Sequence, residues 1–144
     1  MKNILIVDDD VLMRLVMTTS MDLALRDVSC LTAASGKQAI DILDSRPVHF
    51  VLTDIFMGDM SGFQLIEYMK ERHPNVPVAA MSGEGGAATM KRLQELGITQ
   101  FFEKPFNMKR VLDTITAITM AEGDADMVAG AQGMTPSEGG QPWA

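Results

Sequence analysis

A chain of 144 residues, 47% hydrophobic and 22% charged, has the size and balance of one folded domain. Its net charge of -7, with Lys91-Arg92 and Lys109-Arg110 as isolated basic pairs on solvated helix faces, argues against direct nucleic-acid binding. The single cysteine, Cys30, excludes a disulfide framework, and no apolar run reaches membrane-spanning length, so a cytoplasmic location is expected.

The chain opens on the apolar run Ile4-Leu5-Ile6-Val7, which ends in Asp8, Asp9 and Asp10. It is too short, and too acidic at its end, for a signal peptide. A first helical segment follows, with Leu12, Leu15, Val16, Thr19, Leu23 and Leu25 at three- and four-residue spacing. The next strand-like run covers 28–33 and includes Cys30, read as a small buried hydrophobe rather than a reactive thiol. A second helix is expected after Gly36, burying Ala39, Ile40 and Leu43 and ending before Pro47. A third strand at 50–53 runs into Asp54. The third helix, 62–73, presents Phe63, Leu65, Ile66 and Met69, and Pro74 stops it. A fourth strand at 76–81 leads to Ser82, and a fourth helix at 87–96 ends at Gly97, a good left-handed cap. A fifth strand at 99–102 precedes Glu103-Lys104-Pro105. The fifth helix, 107–120, turns Val111, Leu112, Ile115 and Ile118 inward.

Five strand–helix units of this length imply a parallel sheet with helices on both faces. Short, continuously apolar strands fit a sheet covered on both sides. From Glu122 onward the helical period stops. Residues 122–144 carry Glu122, Asp124, Asp126 and Glu138, no Lys or Arg, and five glycines. They are read as a flexible acidic tail, with Trp143 as a docking anchor in the sharper reading. The domain boundary falls between 121 and 122.

The chemistry collects at strand ends. Asp8 and Asp9 close the first strand, Asp54 the third, Ser82 the fourth and Lys104 follows the fifth. At a separation of about 4 Å one like-charged pair costs about 4 kcal/mol at an effective dielectric near ~20, so three carboxylates together point to a cation between them. The C-terminal edge of a parallel sheet is where α/β proteins place their sites. A metal, an ammonium and a hydroxyl can each take one phosphoryl oxygen, leaving Asp54 as nucleophile and an acyl phosphate as product.

These residues make the chain resemble the receiver domain of two-component response regulators. The carrying motifs are Ile4-Leu5-Ile6-Val7-Asp8-Asp9-Asp10 with Arg14, Ala34-Ser35-Gly36-Lys37-Gln38-Ala39, Leu52-Thr53-Asp54-Ile55-Phe56-Met57, Ser61-Gly62-Phe63, Met81-Ser82-Gly83 and Lys104-Pro105-Phe106. The resemblance covers about residues 2–121. It implies a flavodoxin-like, doubly wound five-stranded parallel sheet with five helices. It implies Asp54 as phosphoacceptor and Mg²⁺ bound by Asp9, Asp54 and the main-chain carbonyl of Phe56, with Asp8 acting through water. Ser82 and Lys104 would hold the phosphoryl group. The partner would be a sensor histidine kinase or a histidine phosphotransfer protein, the chain a monomer or weak homodimer, and its own role that of an acceptor rather than an enzyme. A switch pairing Ser82 with an inward swing of Phe101 is also implied, with a plain core phenylalanine as the alternative.

Three consecutive acids leave the register open between Asp8/Asp9 and Asp9/Asp10; the spacing to Arg14 favours the first, with Asp10 capping the first helix. Gly58 stands where the family commonly has proline, and Phe101 where it often has tyrosine. Two rival readings keep the same residues. A haloacid-dehalogenase-type phosphatase would use Asp8 as nucleophile, but only Asp124 and Asp126 lie downstream of Lys104 as further metal ligands. A pseudo-receiver would keep the fold without phosphorylation. Gly83-Glu84-Gly85-Gly86 is no dinucleotide loop, because the first strand ends in acids rather than glycines. His49 and His73 read as surface or loop residues, not a catalytic pair. Gene neighbours, kinase and target are not encoded in the chain; both a stand-alone receiver and a fragment of a larger regulator fit.

Overall fold

The computed structural model describes residues 1–83, 85–104 and 107–121. The expected tail at 122–144, with Trp143, lies outside the described residues, as do Glu84, Pro105 and Phe106. Strands and helices alternate: β1 Lys2–Val7, α1 Val11–Ala24, β2 Val28–Ala33, α2 Gly36–Ser45, β3 Phe50–Asp54, α3 Gly62–Arg72, β4 Val78–Ser82, α4 Ala87–Glu95, β5 Phe101–Glu103 and α5 Met108–Ala121. All pairings are parallel, in the order β2-β1-β3-β4-β5.

Alternation along each strand sends side chains to two cores. Ile4, Ile6, Phe50, Leu52, Ala79, Met81 and Phe102 pack with Met17 and Met21 of α1 and Val111 and Ile115 of α5. Leu5, Val7 and Val51 face the other way, against Ala39 and Leu43 of α2 and Leu65 and Met69 of α3. Ile55, Ala80 and Phe101 continue that face toward Ile66 of α3 and Leu93 of α4. Helices α1 and α5 thus cover one face, and α2, α3 and α4 the other.

Helix starts follow local chemistry. Asp10 caps α1 by accepting from Leu12 and Met13 N–H. Ser35 caps α2, and Ser61 with Gln64 forms a reciprocal capping box on α3. Gly97 follows α4 with φ +78°, the left-handed residue expected there. Strands β4 and β5 each begin two residues later than expected; Pro77, which has no N–H, precedes β4.

Helix α1 forms as its periodicity suggests, but that period does not mark the buried face. Leu12, Leu15 and Leu23 are 64%, 60% and 84% exposed, and Val11 and Val16 are exposed too. The inward stripe is Met13, Met17 and Met21, at four-residue spacing. The helix carries two apolar stripes about a third of a turn apart, and period alone cannot say which one meets the sheet. Cys30 is half-buried rather than buried; its Sγ lies 3.6 Å from Met21 Sδ, and burial pushes the thiol up to about 11. It stays a thiol at neutral pH, as expected of an unreactive cysteine.

Candidate functional site

The strand order reverses direction at β1, where β2 lies to one side and β3 to the other. A crevice opens beyond the strand ends at such a point. Asp8 and Asp9 leave β1 on one side of it and Asp54 ends β3 on the other. Val7 pairs with Thr53, Asp54 with Met81, and Ser82 with Glu103, so all the tips end within a residue or two of one level. One oxygen from each of Asp8, Asp9 and Asp54 falls within 4.8 Å of the others.

Lys104 closes this cluster. Its Nζ donates to Asp54 Oδ2 at 2.9 Å and to Asp8 Oδ2 at 3.1 Å. Its main-chain N–H donates to the Ser82 carbonyl at 2.8 Å, which seats the lysine at the end of the short edge strand β5. Burial alone would favour neutral lysine, but the hydrogen bonds to Asp54 and Asp8 outweigh it and raise the lysine above its usual range. Asp8 is completely buried, and that burial raises its carboxyl even against donors from Asp10 N–H and Lys104. The buried acid is thus the one with most to gain from a further cation.

Each acid is held differently. Asp8 Oδ1 accepts from Asp10 N–H at 2.9 Å, so both of its oxygens are engaged. Asp54 Oδ1 accepts from Phe56 N–H at 3.2 Å. Asp9 is exposed at the mouth. Carboxylate oxygens without sulfur or imidazole form a donor set for a hard divalent cation such as Mg²⁺. The donor chemistry therefore fits the metal, with Phe56 following Asp54 by two residues in the adjoining loop.

Ser82, also expected at the site, is buried at the end of β4, one strand from Asp54. Phe101 is buried as well, packed among Ile55, Ile66, Ala80, Leu93 and Ile98. In this structure the ring is inside, against α3 and α4. His49 and His73 are not near each other's function. His49 Nδ1 accepts from Asn3 N–H, and His73 Nε2 meets Asp44 at 2.8 Å.

Two positions quoted as motif members acquire roles that the sequence did not specify. Arg14 Nη1 donates to the Asp8 carbonyl at 2.6 Å and fixes the turn out of β1. Gly62 N–H donates to Ile55 O at 2.7 Å, and a Cβ at this residue would collide with the Asp54 carbonyl oxygen. The signal for Gly62 was glycine at a helix start, where close approach of main chains needs it.

Comparison with known proteins agrees with this geometry. The response regulator receiver domain family matches residues 4–116. The heme response regulator HssR of Staphylococcus epidermidis is 30% identical over 118 residues, which is 82% of this chain and 51% of that protein. The response regulator protein PilR of Pseudomonas aeruginosa is 30% identical over 96 residues, 66% of this chain and 22% of that protein. The chain thus spans about half of the first relative's length and about a fifth of the second's. Among solved structures, the Francisella response regulator 1452 receiver domain superposes with a TM-score of 0.77 at 17% identity, covering 85% of this chain and 99% of that one. The chemotaxis protein CheY4 of Vibrio cholerae gives 0.74 at 22% identity, covering 82% and 98%. These two share the flavodoxin-like fold with this chain. With the family matched over most of its length, the chain belongs to the response regulator receiver domains of two-component systems.

Proposed function

We propose that Asp54 accepts a phosphoryl group from the phosphohistidine of a sensor kinase or phosphotransfer protein. A carboxylate oxygen of Asp54 attacks phosphorus, the P–N bond breaks, and its electron pair leaves with the imidazole, which takes up a proton. Lys104 supports this reading most directly. It is an ammonium anchored by Asp54 and Asp8, placed to follow charge as it grows on the phosphoryl oxygens. Ser82 would donate to a second phosphoryl oxygen. Mg²⁺, held by Asp9, Asp54 and the Phe56 carbonyl, with Asp8 acting through water, would neutralise charge on a third. Arg14 and Gly62 serve as positioning residues for Asp8 and Asp54.

The exposed face of α1 supports a protein donor. Val11, Leu12, Leu15 and Val16 begin one turn from the acidic cluster and carry no charge. A helical partner packed there would bring its own side chains to the mouth above Asp54. Phosphorylation would then act on the α4–β5–α5 side through Ser82 and Phe101. This reading places the chain in the cytoplasm as an acceptor rather than a catalyst for other substrates; among the described residues no helix is long and apolar enough to cross a membrane.

Incubation with Mg²⁺ and acetyl phosphate should add one phosphoryl group by intact mass, and Asp54→Asn should abolish it. Labelling that persists in Asp54→Asn but vanishes in Asp8→Asn would favour the phosphatase-type nucleophile instead. No labelling from either a small donor or a phosphohistidine protein would leave the pseudo-receiver reading.

A further inference from the structure

Among the described residues, Met1 and five side chains of α1 account for every exposed large hydrophobic except Phe56. Phe56 sits two residues after Asp54, in the loop beside the carboxylate cluster, and is 45% exposed. The ring is not loose. It meets Phe63 of α3 edge-on, with centroids 6.4 Å apart and planes at 87°. The Arg92 guanidinium of α4 lies 5.4 Å over the Phe63 ring, and Arg92 Nη2 is 3.0 Å from Glu67 Oε2. A continuous contact therefore runs from the loop after Asp54, across α3, to α4.

On either side of Phe56 that loop is anchored, by Ile55 buried against α3 and α4 and by Met57 packed toward α2 and α3. The exposed ring of Phe56 and the residue after Met57 have few other restraints of their own. A side chain at Gly58 would meet nothing within 4 Å. The far end is tied down separately: Met60 seats against Gly36, where a Cβ would come within 2.8 Å of it. Between Asp54 and Gly58, the main chain of Phe56 is fixed by its N–H bond to Asp54 Oδ1 and by its ring.

We propose that Phe56, Phe63 and Arg92 form a positioning stack that orients the Phe56 peptide for the divalent cation and links that cation to α4. An edge-to-face aromatic pair fixes the ring's side-chain torsions, and a fixed ring restricts the peptide that carries it. The cation over Phe63 holds the second ring from the α4 side. The metal half of this proposal builds on the Mg²⁺ reading above; the ordering of the loop does not.

The test uses the full chain and two readouts. Mg²⁺ affinity is measured by calorimetry, and amide exchange of residues 55–60 is measured without metal. Phe56→Leu and Phe63→Leu should weaken Mg²⁺ by about fivefold, within the range that one aromatic pair supports, and should speed exchange in the loop. Arg92→Gln, a surface change that leaves the core intact, should do the same to a smaller degree. Gly58→Ala, which narrows the loop's freedom where Gly58 has open space and no positive φ, should restore affinity in Phe56→Leu. Asp9→Asn is the control for the metal site. If Asp9→Asn leaves Mg²⁺ binding intact, the metal reading fails while the exchange arm still judges the stack. Unchanged exchange and unchanged Mg²⁺ affinity in both Phe63→Leu and Arg92→Gln would overturn the stack.

Discussion

Two carboxylate networks occupy opposite ends of the sheet. At the C-terminal edge, buried Asp8 and Asp54 share Lys104. At the N-terminal edge, where α2 and α3 end, exposed Asp44 accepts from the Tyr68 hydroxyl at 2.6 and 2.8 Å and meets His73. The first tips Asp8 upward, because burial outweighs its donors. The second pulls Asp44 down, because the Tyr68 and then the His73 hydrogen bonds act on a group that water still reaches. Similar ligands, placed at different depths, make one site hungry for a cation and the other a tie between two helices.

The largest contrast is chemical. Asp54→Asn should remove all phosphorylation, and Asp44→Asn should leave its rate within twofold, as read by intact mass after a phosphodonor pulse. Equal loss in both would erase the distinction.

Next is stability. Lys104→Met leaves two buried carboxylates without their shared cation and should cost about 2–3 kcal/mol in denaturant unfolding. Millimolar Mg²⁺ should recover a good part of that loss and should also raise the wild-type melting temperature. Asp9→Asn, which removes repulsion from an exposed and crowded acid, should make the metal-free protein slightly more stable and insensitive to Mg²⁺. At the other end, Tyr68→Phe should lower stability less than Lys104→Met and give no Mg²⁺ response.

Gly62 sharpens how closely the first network depends on main chain. Gly62→Ala would push the α3 start away from Asp54 and should cost about 2 kcal/mol, with slower phosphorylation. A variant with full stability and full rate would show that the α3 start gives way without disturbing Asp54.

The smallest effect separates the networks by pH. A depressed carboxyl stabilises the fold above its unfolded value of 3.8, and the contribution is lost as pH falls through the folded value below it. Asp8, raised, works in reverse: its ionisation opposes folding as pH rises above 3.8. Asp44→Asn should therefore flatten the acid limb below 3.8. Tyr68, raised first of all by the Asp44 hydrogen bond, should weaken the fold as pH climbs above 10, and the same substitution should remove that limb too. Unfolding free energies across the two windows decide it.

The first network was legible in the sequence and the second was not, for a physical reason. Asp8, Asp54 and Lys104 each stand at or just past the end of an apolar run, and strands in a parallel sheet share one edge, so local pattern sufficed to bring them together. Asp44, Tyr68 and His73 lie on polar faces of two helices, 24 and 29 residues apart, and only the packing angle of α2 on α3 joins them. The buried face of α1 was not legible because leucine and valine outweigh methionine in any apolar count, yet the flexible Met13, Met17 and Met21 fill the space above β1 and β2. Ring contacts such as Phe56 on Phe63 escape sequence reading for the same reason as the helix tie.

The uncharged face of α1 has a consequence for ionic strength. The chain carries -7, so a small anionic phosphodonor approaches Asp54 against a repulsive field. Added salt shortens the reach of that field to about 10 Å at 0.1 M and should speed the small donor. A partner seated on Val11, Leu12, Leu15 and Val16 is held by apolar contact, which screening does not weaken. Salt would then sort the two routes to the same carboxylate, quickening the anion while leaving the docked protein nearly untouched.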